Sequence, residues 1–387
     1  MDAKGEQAAS SRVPARIRFA LGTTTVVLAV AAVLASVLFV AVGRLVSSEV
    51  EAQVRSDLRL ARAAFDEELS RLERGLEEEV SERSLRSHSS SGEGPEGLAE
   101  ALGSLRRRVG LDVVTLVGPD GVVVESSGGF GAAGDDWSGQ ILVAPVLRGR
   151  RAVAGALVAP AASLASEGAG LAERARIEVE PTAGATTPAR GESTDGLMLA
   201  AAVPWFDATD AAGPPAVLYG ARLLNRGDDF VEAIAERVFG SGSRRGGRAG
   251  MVVLCLDDVR VAASVPAPGG WRPLGTRIDD DARRQVLLGG RGWAAREPVA
   301  GVWWSGAYEP LRDAAGRVIG ALYVGRLDAP YARARRATLA TTLGALGAAT
   351  LAALALLLRL LRPPRRCGSP GQRLADRPTA KMSIASS

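Results

Sequence analysis

The chain has 387 residues, with 47 Lys and Arg against 43 Asp and Glu, a balance that reads as folded protein and not as a disordered polyelectrolyte. Only Lys4 and Lys381 are lysines, and the Arg that supplies the remaining positive charge is interspersed with Asp and Glu, which argues against nucleic-acid binding. One histidine, His88, and two cysteines, Cys255 and Cys367, without a CxxC or a Cys/His cluster, supply neither a zinc ligand set nor a histidine-based hydrolase site.

The first element in chain order is an uncharged run of 25 residues, Phe19 to Gly43, bounded by Arg16, Arg18 and Arg44. It is long enough to cross a bilayer as a helix and too long for the apolar core of a signal peptide. A second run, Ala337 to Leu358, has 22 uncharged residues with Arg on both sides. Two spans put both termini on one side. The intervening 293 residues are too long to be governed by the positive-inside rule, so cytoplasmic tails and an exported central region are expected. Cys255 then lies outside and Cys367 inside, and the two do not pair.

From Leu45 to about Ser87 the chain reads as a helix. Val50, Val54, Leu58, Ala61, Phe65, Leu69, Leu72, Leu76 and Val80 recur on one face, opposite a face of Glu and Arg. The stripe is free to pack on its own domain, on a second copy, or on both. His88 to Gly97 reads as a linker. Val113–Val117 and Val122–Glu125 form a hairpin about Gly118-Pro119-Asp120-Gly121. Ile141–Leu147 and Ala152–Val158 read as strands about a basic turn. Leu164–Glu180 is mixed, and Pro181–Asp195 reads as a loop. Met198–Val203 and Ala216–Leu223 are a strand pair across the loop 207–215. Phe230–Phe239 is a short amphipathic helix, followed by a Gly/Arg/Ser joint at Ser241–Gly250.

The pattern then begins again. Met251–Leu256 and Arg260–Val265 are strands about Asp257-Asp258. Asp279–Leu288 is a helix with acidic residues in its first turn, ended by Gly289 and Gly290. Trp293–Val299, Val302–Pro310 and Gly320–Leu327 are strands, the last two joined by a turn at Asp313–Gly316. Ala211–Leu224 (AAGPPAVLYGARLL) echoes Ala314–Leu327 (AAGRVIGALYVGRL), so two similar α+β modules in tandem are the simplest account.

Three strings carry a family resemblance: VVLCLDDVRVAASV from Val252, PLGTRIDDDARRQVLLGGRGW from Pro273, and VWWSGAYEPLRDAAGRVIGALYVGR from Val302. Met251 to Arg326 resembles the membrane-proximal module of bacterial Cache sensor domains, and the upstream part is similar to the distal half of double-Cache fusions (a Cache type 3/type 2 arrangement). The resemblance implies an α+β fold of two tandem PAS-like antiparallel-sheet modules on a long N-terminal helix, bracketed by two transmembrane helices. It implies ligand sensing outside the cytoplasm, as in histidine kinases and chemotaxis receptors, and a homodimer formed through the long helix. The expected order is a cytoplasmic tail at 1–18, the first span at 19–43 and the long helix at 44–88. A distal module at 89–245 and a proximal module at 246–330 follow, then the second span at 337–358 and a disordered cytoplasmic tail at 359–387.

Only 29 residues follow the second span, and the one histidine is on the exported side, so histidine-kinase activity in this chain is excluded by count. The expectation is a non-enzymatic receptor subunit that signals through a separate cytoplasmic partner. The alternatives are a structural or partner-binding membrane protein, or a truncated kinase or chemoreceptor. The expected ligand is a small carboxylate or amino acid. Arg277, Arg296, Trp303 and Tyr308 are the candidate ligand-binding residues, because Arg suits a carboxylate bidentately and four of the six tryptophans, Trp271, Trp293, Trp303 and Trp304, cluster here. Trp303 and Trp304 must face opposite sides of their strand, core packing is the better account of any single one of these tryptophans, and Arg277 and Tyr308, polar groups within apolar strand-edge sequences, are the stronger candidates. Asp257-Asp258 and Asp279-Asp280-Asp281 fit a turn and a helix cap better than a metal site, and no cofactor or metal is expected.

Overall fold

The computed structural model describes residues 15–81, 95–127, 131–166, 169–186, 191–206, 215–240, 250–264, 272–299 and 301–360. His88, Trp271, Cys367, most of the 241–250 joint, the 207–214 loop and the ends of both tails lie outside the described residues. The chain divides into two units, residues 1–42 with 336–387, and residues 43–335.

In the first unit every described residue is helical, belonging to α1 (Ala15–Ser81) or to the last helix, α8 (Asp328–Leu360). Among the described residues one stretch, Asp328–Ala355, is long and apolar enough to cross a membrane. The expected first span is represented by a shorter apolar piece, Ala29–Ala41. Around it Val26, Val30, Val33, Leu34, Val37 and Phe39 expose their side chains.

The second unit holds two five-stranded antiparallel sheets. The first orders its strands β2 (Val123–Ser127), β1 (Val113–Val117), β7 (Ala216–Leu223), β6 (Gly196–Trp205) and β3 (Val153–Ala159). The second runs β10 (Trp293–Val299), β11 (Val302–Arg312), β12 (Val318–Leu327), β8 (Gly250–Leu256) and β9 (Val259–Ala263). Counted within its own module, each sheet has the same order: second, first, fifth, fourth, third. The sequence echo falls on the two fifth strands, where Tyr219 and Tyr323 are both fully buried.

Strand alternation gives each sheet two apolar faces. Val252, Leu254 and Leu256 of β8 join one core, while Met251, Val253 and Cys255 join another. The first core is shared. The α1 stripe from Val50 to Val80 shares it with residues of both sheets, and α2 (Pro95–Val109), which lies against β1 and β2, adds Leu102 and Leu105. The stripe is therefore covered by the chain's own sheets, and Phe65 meets Phe230 edge to face at 5.7 Å. The opposite face of the first sheet is closed by α3 (Val143–Gly149), α4 (Ala161–Ser166) and α5 (Ala169–Ala175). That of the second is closed by α7, which starts at Asp280–Ala282 and continues as π-helical turns over Arg283–Leu288.

Three local expectations are corrected. Ile141–Leu147 is not a strand but leads into α3. The Gln140 side chain accepts hydrogen bonds from the backbone N–H of Leu142 and Val143, and Pro145 stands in the first turn, where a missing N–H costs nothing. The expected linker gives way at Pro95 to α2, with Pro in the first helical position. The loop 181–195 contains β5 (Gly191–Ser193), which pairs with β4 (Ile177–Val179). The expected helix at Phe230–Phe239 is α6 (Asp228–Phe239), which packs through Val231, Ile234 and Ala235 into the core it shares with β8 and β9.

Candidate functional site

Two polar constellations interrupt these apolar layers, one on each face of the second sheet. On the α7 face Arg260 projects from β9 and is 1% exposed. It donates to Thr276 Oγ1 at 3.2 Å, to the Arg277 carbonyl and, at 2.9 Å, to the Tyr308 hydroxyl. Tyr308 in turn donates to Glu297 at 2.6 Å, and the second Glu297 oxygen lies 3.8 Å from Arg260. The Tyr308 and Tyr323 rings are 4.5 Å apart, and Gly306 and Gly325 leave the room that the Tyr323 ring fills.

Burial here opposes every charge. It raises the carboxyl of Glu297, although Arg260 and Tyr308 pull the other way. It lifts both tyrosine hydroxyls well above their ordinary value and pushes the neighbouring Cys255 thiol up to about 12. Burial also disfavours the Arg260 cation, but Tyr308 and Glu297 outweigh it and hold the guanidinium protonated. The cluster is a paired cation and carboxylate whose hydrogen bonds are spent inward, with no activated nucleophile beside it.

On the opposite face α1 meets the sheet. Asp57, 2% exposed by side chain, accepts two hydrogen bonds from Arg326 of β12, at 2.5 and 3.1 Å, and one from Gln53 at 3.0 Å. The Arg326 guanidinium also lies 5.3 Å over the Phe239 ring. Next to this clamp is a cavity of about 180 Å³, with room for a group the size of a benzene ring. Its walls are Val50, Glu51 and Val54 of α1, the β10–β11 ladder at Ala294 to Arg296 and Ser305, and Asp328, Tyr331 and Ala332 of α8. At its rim Arg296 pairs with Asp328 at 2.7 Å and lies 4.5 Å over the Trp303 ring.

The four residues expected to bind ligand therefore separate. Arg296 lines the cavity and Trp303, 48% exposed, stacks on its guanidinium. Tyr308 is buried in the Arg260 cluster on the other face. Arg277 pairs with Asp258 at 2.6 Å, and its backbone N–H donates to Thr182. Trp304 is buried, as strand alternation requires. Arg260, Glu297 and the Asp57–Arg326 clamp were not anticipated. A signal for Arg260 was present in the sequence, where it is a lone Arg between Val259 and Val261. The Asp triplet is used locally, with Asp279 capping α7, Asp280 accepting from Thr186 and Asp281 paired with Arg284. Among the described residues no group of three or more His, Cys, Asp or Glu is arranged to hold a metal.

Residues 222–338 match the family model described as single cache domain 3. No curated protein matches the chain. Solved structures similar to it include the periplasmic domain of Vibrio cholerae LuxQ, at 14% identity and TM-score 0.42, covering 71% of this chain and 99% of that one. The sensor domain of the V. cholerae histidine kinase DctB has 10% identity and TM-score 0.37, covering 70% and 95%. The ligand-binding domain of the Pseudomonas aeruginosa PAO1 amino-acid chemoreceptor PctB, in complex with L-Arg, has 13% identity and TM-score 0.35, covering 80% and 98%. The matched stretch from Arg222 to Thr338 takes in α6, the second sheet and the start of α8.

Proposed function

We propose that the chain is a two-pass membrane receptor whose residues 43–335 sense a small ligand outside the cytoplasm and signal through α8. The observation that carries the reading is the wall of the 180 Å³ cavity, which is built from α1, from the β10–β11 ladder and from the first turns of α8. A ligand there touches all three at once. Its carboxylate would compete with Asp328 for Arg296, and Asp328 opens the helix that carries the membrane-length stretch. Arg277 and Tyr308 then support the fold, Arg296 takes the ligand, and Trp303 backs its guanidinium.

The outward apolar side chains of α1 from Val26 to Phe39 favour a first span over 19–43. The α1 stripe is engaged by the sheets, so a homodimer through this helix would use the exposed face bearing Leu60. Output passes to a separate cytoplasmic partner, and the chain itself has no enzymatic activity. The test is a thermal-shift screen of the reconstituted full chain against organic acids and amino acids. Stabilisation by a carboxylate, lost in Arg296→Gln and kept in Arg277→Gln, supports the reading. Stabilisation that survives Arg296→Gln refutes it.

A second reading, a partner-binding protein that keeps the fold without sensing, is favoured by the self-filled α7 face of the second sheet. It predicts no stabilisation by any ligand and loss of partner capture when the exposed face of α1 is altered.

A further inference from the structure

Trp303 is a large exposed aromatic that no core requires, and its place in the topology is specific. β12 leaves its sheet at Leu327, which pairs with Trp304, and α8 begins at the next residue. The β10–β11 turn, closed by the Val299–Val302 pair with Gly301 at φ +75°, therefore sits at the end of the sheet where β12 passes into α8. Trp303 directly follows Val302 and pairs with Pro298. From Leu327 to Ala337, the first residue of the uncharged run, a helix rises at most about 15 Å. Trp303 is thus held by its strand pairing at the end of the domain from which the membrane-length helix leaves.

The chemistry of that end suits a bilayer surface. Trp is enriched at membrane interfaces, where an apolar ring and a polar N–H are both satisfied. Arg296 lies flat on the ring and keeps about half of its side chain exposed while one edge pairs with Asp328. Its outward N–H groups are available to phosphate oxygens. Arg333, one turn further along α8, is exposed as well. Of the acidic groups at this end, Asp328 is paired with Arg296, Glu51 is paired with Arg55 across the cavity on α1, Glu49 is exposed on α1, and Glu297 is buried on the other face of the sheet.

We infer that Trp303 and Arg296 form a lipid-contact site that docks the β10–β11 turn into the phospholipid headgroup layer, with the indole at the interface and the guanidinium on phosphate. The inference rests on the reading that α8 crosses the membrane. Arg296, which also lines the cavity, links this lipid contact to the cavity wall.

The experiment uses the full chain in vesicles of phosphatidylglycerol and phosphatidylcholine, with the phosphatidylcholine brominated near the glycerol end of its acyl chains. Tryptophan quenching by the brominated lipid is expected in the native chain, with loss of the quenched component in Trp303→Phe and a weaker, salt-sensitive component in Arg296→Gln. Vesicle flotation separates the two ideas. A chain that floats but whose quenching is unchanged in Trp303→Phe, or absent from the start, overturns the lipid-contact site alone. A chain that does not float overturns the membrane reading and the site with it. Trp303→Tyr, which keeps an interfacial ring, is expected to float like the native chain and serves as the folding control for Trp303→Phe.

Discussion

Replacing Asp57 by Ala removes one half of the clamp between α1 and β12. The lost carboxylate is buried and receives two hydrogen bonds from Arg326, at 2.5 and 3.1 Å. Breaking a fully buried pair from one side costs about 3–5 kcal/mol, because the remaining charge is stranded. Arg326 retains 19% side-chain exposure and its contact with Phe239, so water takes up part of the loss and about 2–3 kcal/mol is expected. For a unit of roughly 290 residues the melting entropy is about 0.6 kcal/mol per kelvin, which converts this to a fall in Tm of about 3–5 °C. Arg326→Met should cost a similar amount, by stranding Asp57. The double variant should cost less than the two added together, with a coupling of about 1–3 kcal/mol. The assay is a thermal melt of all four members of the cycle in one detergent. A melt for Asp57→Ala indistinguishable from the native chain, or strict additivity, would show that the pair does not hold the helix to the strand.

Three further outcomes follow from the same packing. In a Cys367→Ser background, Cys255 should resist thiol reagents in the native state and react only on unfolding, since burial pushes its thiol up to about 12; native labelling at pH 8 contradicts this. Partial desolvation, and then the neighbouring Asp258, raise the carboxyl of Asp257, so its protonated form is favoured by folding: its contribution is present below the ordinary value of 3.8 and is lost as pH rises through the raised one. Asp257→Asn should therefore stabilise the protein near neutral pH, by an amount that shrinks as pH falls towards 3.8, and a pH-independent difference would contradict it. Gly275 has φ +78° and lies against the Glu178 carbonyl, so Gly275→Ala should cost more than about 1 kcal/mol and free the 177–186 strap for limited proteolysis; an intact strap would refute it.

What the sequence made legible was periodicity. The α1 stripe, the hairpins about Pro119 and Asp257, and the echo between the two fifth strands all repeat at helix or strand spacing, and the folded chain uses them in that way. Composition misled where polar side chains set the conformation. The run ILVAPVL has no period of its own, and the Gln140 cap decides it. In α2, Leu98, Leu102, Leu105 and Val109 do have helical spacing, but Gly97, Gly103 and the arginines obscured it. The site was legible only in part, because a side chain's partners are long-range. Arg296 and Trp303 are neighbours only through strand pairing, and Asp57 and Arg326 are 269 positions apart. Tyr308 and Arg277 looked available as isolated polar residues, and folding supplied each with a partner.

The position of β12 limits how any message can leave the domain. It is the middle strand of its sheet, laddered to β11 on one side and β8 on the other. To slide along its own axis it would have to break both ladders together, so it cannot serve as a piston rod. A displacement of β12 is therefore shared with both neighbouring strands, and Asp57 ties it to α1 through Arg326. On the proposed reading, the first turn of α8 follows the sheet as a whole and not one strand of it.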